Sequence, residues 1–330
     1  MNFAVRLSSI APLLLAMSLV MPASAQHTLR IGSVAPEGTP WFKIVKKIKR
    51  RIQKKSGGRI KVKTFLGQSL GGEKSVVRRC QSGRLEMLGV STGALATVVP
   101  ELNAYELPYL FSSLKQADKA LDATYELAAE VLAAKGFKLY FWSENGFRDF
   151  ATKETFVRTP SDLKGMKMRA QESFVHTEMY ERLGAKPNPI AVPQVAEDLA
   201  NGVVSGYDNT WLYSYAAQWY KHIKYVTESN HIYQPAIIAY NKAWFDGLEP
   251  DLQALLMENV EKYTKTGRKK TRAMNGSLRE MFSNDGVTFH QPTSSERAKM
   301  KAATKGVYDS FRKRTGASGS KLLDAILKAR

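Results

Sequence analysis

The chain has 330 residues, a single cysteine, 44% hydrophobic residues and a formal net charge of +19. A lone Cys80 excludes an intramolecular disulfide framework, and the ordinary apolar fraction points to a globular chain rather than a disordered one. The positive charge would suit an anionic partner, whether nucleic acid, lipopolysaccharide, membrane or small acid, but its spread over most of the chain fits a solubility role better.

The first stretch reads as a removable secretion signal. Arg6 precedes an apolar run from Ile10 to Met21, and Ala23-Ser24-Ala25 supplies a small-x-small cleavage site. The run is shorter than the ~20 residues a membrane span needs. Cleavage after Ala25 is expected to leave Gln26 as the first residue of an exported, periplasmic protein. Roughly 305 residues then remain, room for two lobes at ~100–200 residues per domain.

His27 to Ser33 alternates like a strand, and Thr39 is placed to cap a helix that starts at Pro40. In that helix Trp41, Ile44, Val45, Ile48 and Ile52 recur at spacings of three and four. The remaining positions carry the densest run of lysines and arginines in the chain. One buried stripe with a solvated basic face is the reading that fits. A nucleic-acid or membrane role would use such a face too, yet no aromatic residue interleaves beyond the helix start and an exported protein seldom meets nucleic acid. Arg59 to Phe65 gives a second strand. Gly67 to Ser75 imitates a phosphate-binding loop, but Glu73 stands where the pattern needs lysine and would repel phosphate. A turn entering a helix over 74–83 is expected, with Glu73 favourable in its first turn.

A buried strand over 85–90, a loop over 101–111 and a long helix over 114–135 follow. The strand Phe137 to Trp142 is expected to break at Ser143–Gly146 and resume at 147–150, marking the passage into a second lobe. Ser161-Asp162 caps one turn before a short strand, Lys167–Ala170. There Met168 faces the core and Arg169 points the other way, at the carboxyl end where open α/β sheets bind ligands. Its planar fork of donors matches a carboxylate two bonds at a time. Helices over 173–183 and 193–201 come next, then a strand and turn over 203–210 in which Asn209 offers a donor and an acceptor. An aromatic segment at 211–221, a strand over 232–241, a helix over 250–283, a strand at 287–290 and two last helices complete the chain. Strands and helices alternate throughout, which gives an α/β class with a mainly parallel sheet in each lobe.

Eight stretches in order resemble the solute receptors of tripartite ATP-independent periplasmic (TRAP) transporters, of the C4-dicarboxylate-binding DctP type. They are APEGTPWF at 35–42, GGRIKVKTFLGQSLGGEKSVV at 57–77, ELPYLF at 106–111 and GFRDF at 146–150. TPSDLKGMKMRAQES at 159–173, LGAKPNPIAVPQV at 183–195, GVVSGYDNTW at 202–211 and YVTESNH at 225–231 complete the set. The resemblance implies a two-lobed periplasmic binding protein type II clamshell closing on an organic acid anion. By it, lobe 1 comprises 26–145 plus 235–274, and lobe 2 comprises 146–234 plus 275–330. It also implies that Arg169 makes the main salt bridge to the substrate carboxylate, that Arg148 assists and that Asn209 holds the other side. Glu73 and the loop near Glu37 are looser candidates, and Gln194 and Trp211 are added from their neighbourhood. The implied partners are a small organic acid and the membrane subunits of a TRAP transporter, with no cofactor, no nucleic acid and a monomeric chain.

The chain departs from the family pattern in places. Gln194, after Val192-Pro193, replaces an acidic residue, and Val204-Ser205-Gly206-Tyr207-Asp208-Asn209 replaces the usual VDGQEN. Carboxylate capture survives these changes. With Tyr207, Trp211 and Tyr213 near Asn209, and Trp41 and Trp142 beside the expected cleft, they favour a monocarboxylate with an apolar or aromatic body over a C4-dicarboxylate. An exported enzyme is the main rival class. The five histidines show no metal spacing, no GxSxG occurs and Cys80 sits mid-helix, so a binding role is the better reading. A ligand-binding domain serving a sensor instead of a transporter fits the same residues.

Overall fold

The computed structural model describes residues 26–330, so the expected secretion signal lies outside the described residues. Nine strands form one mixed sheet: β1 (His27–Ser33), β2 (Ile60–Phe65), β3 (Met87–Ser91), β4 (Phe137–Thr152), β5 (Lys167–Ala170), β6 (Lys186–Pro189), β7 (Gly206–Asn209), β8 (Tyr225–Asn241) and β9 (Thr288–His290). The order is β2-β1-β3-β8-β4-β7-β5-β6, with β9 on β8. Pairs β1/β2 and β1/β3 at one end, and β5/β6 and β5/β7 at the other, are parallel. The middle is antiparallel, because β8 pairs with both β3 and β4, and β4 with β7. The expected two parallel sheets are therefore the ends of one sheet, joined by the long β4/β8 ribbon.

That ribbon corrects the expected break at Ser143–Gly146. Alone, the stretch looks like a turn. Paired to β8 it stays extended, and its irregularity is taken up by register shifts at Leu139/Phe141, Glu144/Gly146 and Arg148/Phe150. Gly146 sits at φ +113, a backbone region that side chains disfavour. Two long helices also prove to be pairs. Residues 114–135 divide into Leu114–Ala123 and Tyr125–Ala133 at Thr124, whose hydroxyl donates to Ala120 O at 2.6 Å. Pro250–Met257 and Val260–Asn284 meet at Asn259, which is left-handed at φ +66.

The helix Pro40–Lys55 forms as expected, with Thr39 Oγ1 accepting from Phe42 N at 3.3 Å. It buries Ile44, Ile48 and Ile52 against Leu29, Ile31, Val62 and Tyr240. Each such side chain contributes about 1.5–3 kcal/mol. A separate cluster gathers Phe150, Leu163, Met168 and Met179 with Tyr109 and Met300. The last helix, Gly306–Ala329, packs on Pro100–Glu106, Leu114–Ala123 and Phe174–Arg182.

Candidate ligand-binding site

Between the lobes lies a cavity of about 740 Å³, its open mouth included. One wall is apolar and comes from the first lobe: Ala35, Ile44, Val45, Ile48, Val90 and Ile238, edged by Trp41. The opposite wall is polar, with Arg148, Arg169, Gln171, Asn209 and Gln234, and Glu73 joins it from across the cleft.

The two arginines are held differently. Arg148 is 1% exposed and bonded on every nitrogen. Its Nε donates to Asp208 Oδ2 at 2.6 Å, its Nη1 to Gln171, Asn209 and Gln234, and its Nη2 to Asp208 O. Arg169 is 3% exposed and donates from Nε and Nη2 to Ile190 O at 3.1 and 2.9 Å. Its guanidinium lies 5.1 Å above the Trp219 ring, which supplies cation–π support. No carboxylate among the described residues forms an ion pair with Arg169. Burial, then the repulsion of Arg148, lowers its pKa to about 10, so it remains charged at neutral pH. A buried cation without a counter-ion is costly, and an incoming carboxylate relieves that cost.

Asn209 completes the anion side. Its Oδ1 is occupied by Arg148 Nη1 and by Thr210 N at 2.8 Å, which leaves Nδ2 to donate into the cavity. Glu73 is half-buried and accepts from Ser91 N and Ser91 Oγ at 2.7 and 2.8 Å. Burial raises its pKa against those bonds. Tyr213 lines the cavity between Trp41 and Trp219, at ring separations of 6.1 and 5.5 Å, and its buried hydroxyl has no partner among the described residues.

Four candidates from the sequence thus converge: Arg169, Arg148, Asn209 and Glu73. Gln194 is exposed, because the turn Val192–Gln194 gives Val192 to the cavity instead. Trp211 packs on Phe282 and Phe289, outside the lining, and Glu37 is likewise exposed and apart from it. Of the aromatic residues singled out, Tyr207 and Trp142 are core, and Trp41 and Tyr213 line the site. Gln171 and Gln234 also line the site, though no sequence motif marks them. Gln171 lies two positions beyond Arg169, so the alternation of an extended chain places both on one side.

Behind the anion wall lies a fully buried polar network. His231 Nε2 is 3.3 Å from Asp208 Oδ2, and its Nδ1 is 2.7 Å from Ser229 Oγ. Burial keeps this imidazole neutral, which assigns its proton to Nε2. Glu106 accepts from His176 Nε2 at 2.7 Å, from Gln234 at 3.0 Å and from Thr92. Further bonds join segments far apart in the chain: Gln171 Nε2 donates to Ser91 Oγ at 2.8 Å and Ser173 Oγ to Asn103 at 2.7 Å.

At the cleft rim, a Cβ on Gly72 would stand 3.2 Å from Ala191 Cβ and 3.7 Å from Pro193 Cδ. Gly72 has φ −74, so a side chain there costs no backbone strain and its effect is steric. Gly72→Leu is expected to prop the lobes apart and weaken ligand binding by about 1–3 kcal/mol, the range for overpacking. Unfolding of the ligand-free protein should change by less. Calorimetric titration that finds wild-type affinity in this variant would show that the contact plays no part in closure.

A sheet continuous through two lobes, a cavity between them and, in its wall, a buried cation with no acidic partner among the described residues define a two-lobed receptor for a small anion. The chain belongs to the bacterial extracellular solute-binding protein family 7 (DctP), whose profile matches residues 31–314. It is 33% identical over 249 residues to a solute-binding protein of Verminephrobacter eiseniae, covering 74% of each chain. It is 28% identical over 308 residues to the C4-dicarboxylate-binding periplasmic protein DctP of Rhodobacter capsulatus, covering 92% of each. Among solved structures it is similar to the sugar acid binding protein DctPAm of Advenella mimigardefordensis in complex with galactonate. That match has a TM-score of 0.85, 27% identity and coverage of 93% of this chain and 99% of that one. A TRAP periplasmic solute-binding protein of Xanthobacter autotrophicus with bound β-D-galacturonate gives 0.86 and 27%, covering 92% and 100%. The protein is an extracytoplasmic solute receptor, and its family is one of receptors.

Proposed function

We propose that this receptor works in the periplasm, captures an organic acid through its carboxylate and delivers it to the membrane subunits of a TRAP transporter. The observation that carries the reading is Arg169: buried in the cleft wall, charged and without an acidic partner, beside an Arg148 already neutralised by Asp208. In this reading the ligand carboxylate accepts from Arg169, Arg148 and Asn209 Nδ2. The lobes hinge at 145–147 and 233–236, where Gly146 pairs with Gln234 and Phe147 with Tyr233 across β4 and β8. Lobe 1 is then 26–145 with 235–274, and the final helix braces both lobes.

The ligand body faces Ile44, Val45, Ile48 and Ile238, with Trp41 and Tyr213 at the edge. That wall favours a monocarboxylate with an apolar or aromatic body. Gln194 and Ser205 do not line the cavity and so play no part in this preference. A sugar acid is the second reading. It is favoured by the buried hydroxyls of Ser143 and Tyr213, which line the cavity with no partner among the described residues, and it agrees with the ligands of the two structural relatives.

A thermal-shift panel separates these readings. An acid present at a hundred times its dissociation constant should add about 2.7 kcal/mol of stability. Branched and aromatic 2-oxo acids are expected to shift melting more than succinate or malate. Stabilisation by the dicarboxylates alone, with silence from the others, would overturn the apolar reading, and stabilisation by no carboxylate would overturn the receptor's proposed ligand class.

A further inference from the structure

The helix Pro40–Lys55 lines the cavity with its inner side, and its outer side serves no purpose in ligand binding. Lys43, Lys46, Lys47, Arg50 and Lys54 are the exposed residues of interest. At 100° per residue they fall within an arc of about 100°, opposite Ile44, Ile48 and Ile52, and extend along about 16 Å of helix. Neighbouring Arg51 and Lys55 pair with Glu258, and Arg59 pairs with Asp251. The five form no ion pair among the described residues. The sequence explains this: no Asp or Glu occurs between Glu37 and Glu73. The adjoining strand β2 is the outermost of the sheet, and Lys61 and Lys63 are exposed on it. The outer stripe of this helix therefore carries positive charge that no acid among the described residues neutralises.

We propose that this face docks on anionic phospholipid headgroups and holds the receptor electrostatically at the membrane surface. Four of the five residues are lysines, which are depleted from the cores of protein–protein interfaces, whereas compact, hydrated ammonium groups suit a diffuse layer of lipid phosphates. Phe42, the aromatic residue closest to the stripe, lies half-buried beneath Lys46 at 5.2 Å. With no exposed ring or aliphatic side chain to insert, adsorption is electrostatic and reversible by salt. Since the ligand-lining residues lie on the other side of the helix, docking leaves the anion site unchanged.

Co-sedimentation of the mature protein with mixed phosphatidylglycerol–phosphatidylcholine vesicles tests this. Binding is expected at low salt, with none to pure phosphatidylcholine. The variant K46Q/K47Q/R50Q should bind about a hundred-fold more weakly. A control, K299Q/K301Q/K313Q, removes three exposed lysines elsewhere and should retain binding within a few-fold. Both variants should keep their ligand-induced thermal shift, which separates failure here from failure of the proposed ligand class. Equal losses in the two variants would show that net charge alone is responsible and would overturn the proposal. So would absence of binding to the anionic vesicles, or a defect seen only with neutral vesicles carrying an acidic membrane protein.

Discussion

Arg169→Ala is expected to cost about 2–5 kcal/mol of ligand affinity, because a carboxylate would be left buried with its main donor gone. The stability of the ligand-free protein should change far less, since the substitution also removes a buried cation that has no acidic partner. This contrast identifies a binding residue: a merely structural arginine would lose both. Arg169→Lys is expected to bind poorly as well. The wild-type fork donates from Nε and Nη2 to Ile190 O and still presents Nη1 to the cavity, whereas one ammonium cannot reach both positions with the same geometry. Wild-type affinity in either folded variant would show that the anion binds elsewhere.

Asp208→Asn should be the most destabilising single change in the site. It leaves Arg148, 1% exposed, without a counter-ion, and unmaking one side of a buried pair typically costs about 3–5 kcal/mol. A fall in melting temperature of roughly 10 °C follows. A measured loss under about 1 kcal/mol would mean that Gln171, Asn209 and Gln234 suffice to hold Arg148. The same carboxylate sets the acid limit. Burial alone would raise its pKa, but the charge of Arg148 and the imidazoles of His176 and His231 outweigh that and hold it well below the usual range. Its stabilisation is therefore present above the unfolded value of ~4 and is lost as pH falls below that. Buried Asp149 acts with the opposite sign. Burial raises it to about 7, so its contribution is present below pH ~4 and fades as pH rises toward 7. Urea titrations across this range should show a shallow decline from pH 4 to 7 and a steep loss on the acid side.

How much of this was legible beforehand depended on how local the signal was. Thr39 at the helix start, Glu73 after its turn and Arg169 at a strand end are short-range patterns, and the structure places them as expected. The continuity of β4 was not legible: Ser143–Gly146 has turn residues, and only its pairing with β8 keeps it extended. The Glu106–His176 contact joins residues 70 positions apart, so no window of sequence holds it. Trp211 failed for the same reason, since its packing partners Phe282 and Phe289 come from the end of the chain.

The most direct test is a crystal structure with the acid that stabilises the protein best in the thermal-shift panel. The ligand should lie between the lobes with its carboxylate within hydrogen-bond distance of Arg169 Nη1 and Asn209 Nδ2, and its body against Ile44, Ile48 and Ile238. A ligand found outside this cavity, or one inside it that leaves the Arg169 guanidinium without a carboxylate, would contradict the account.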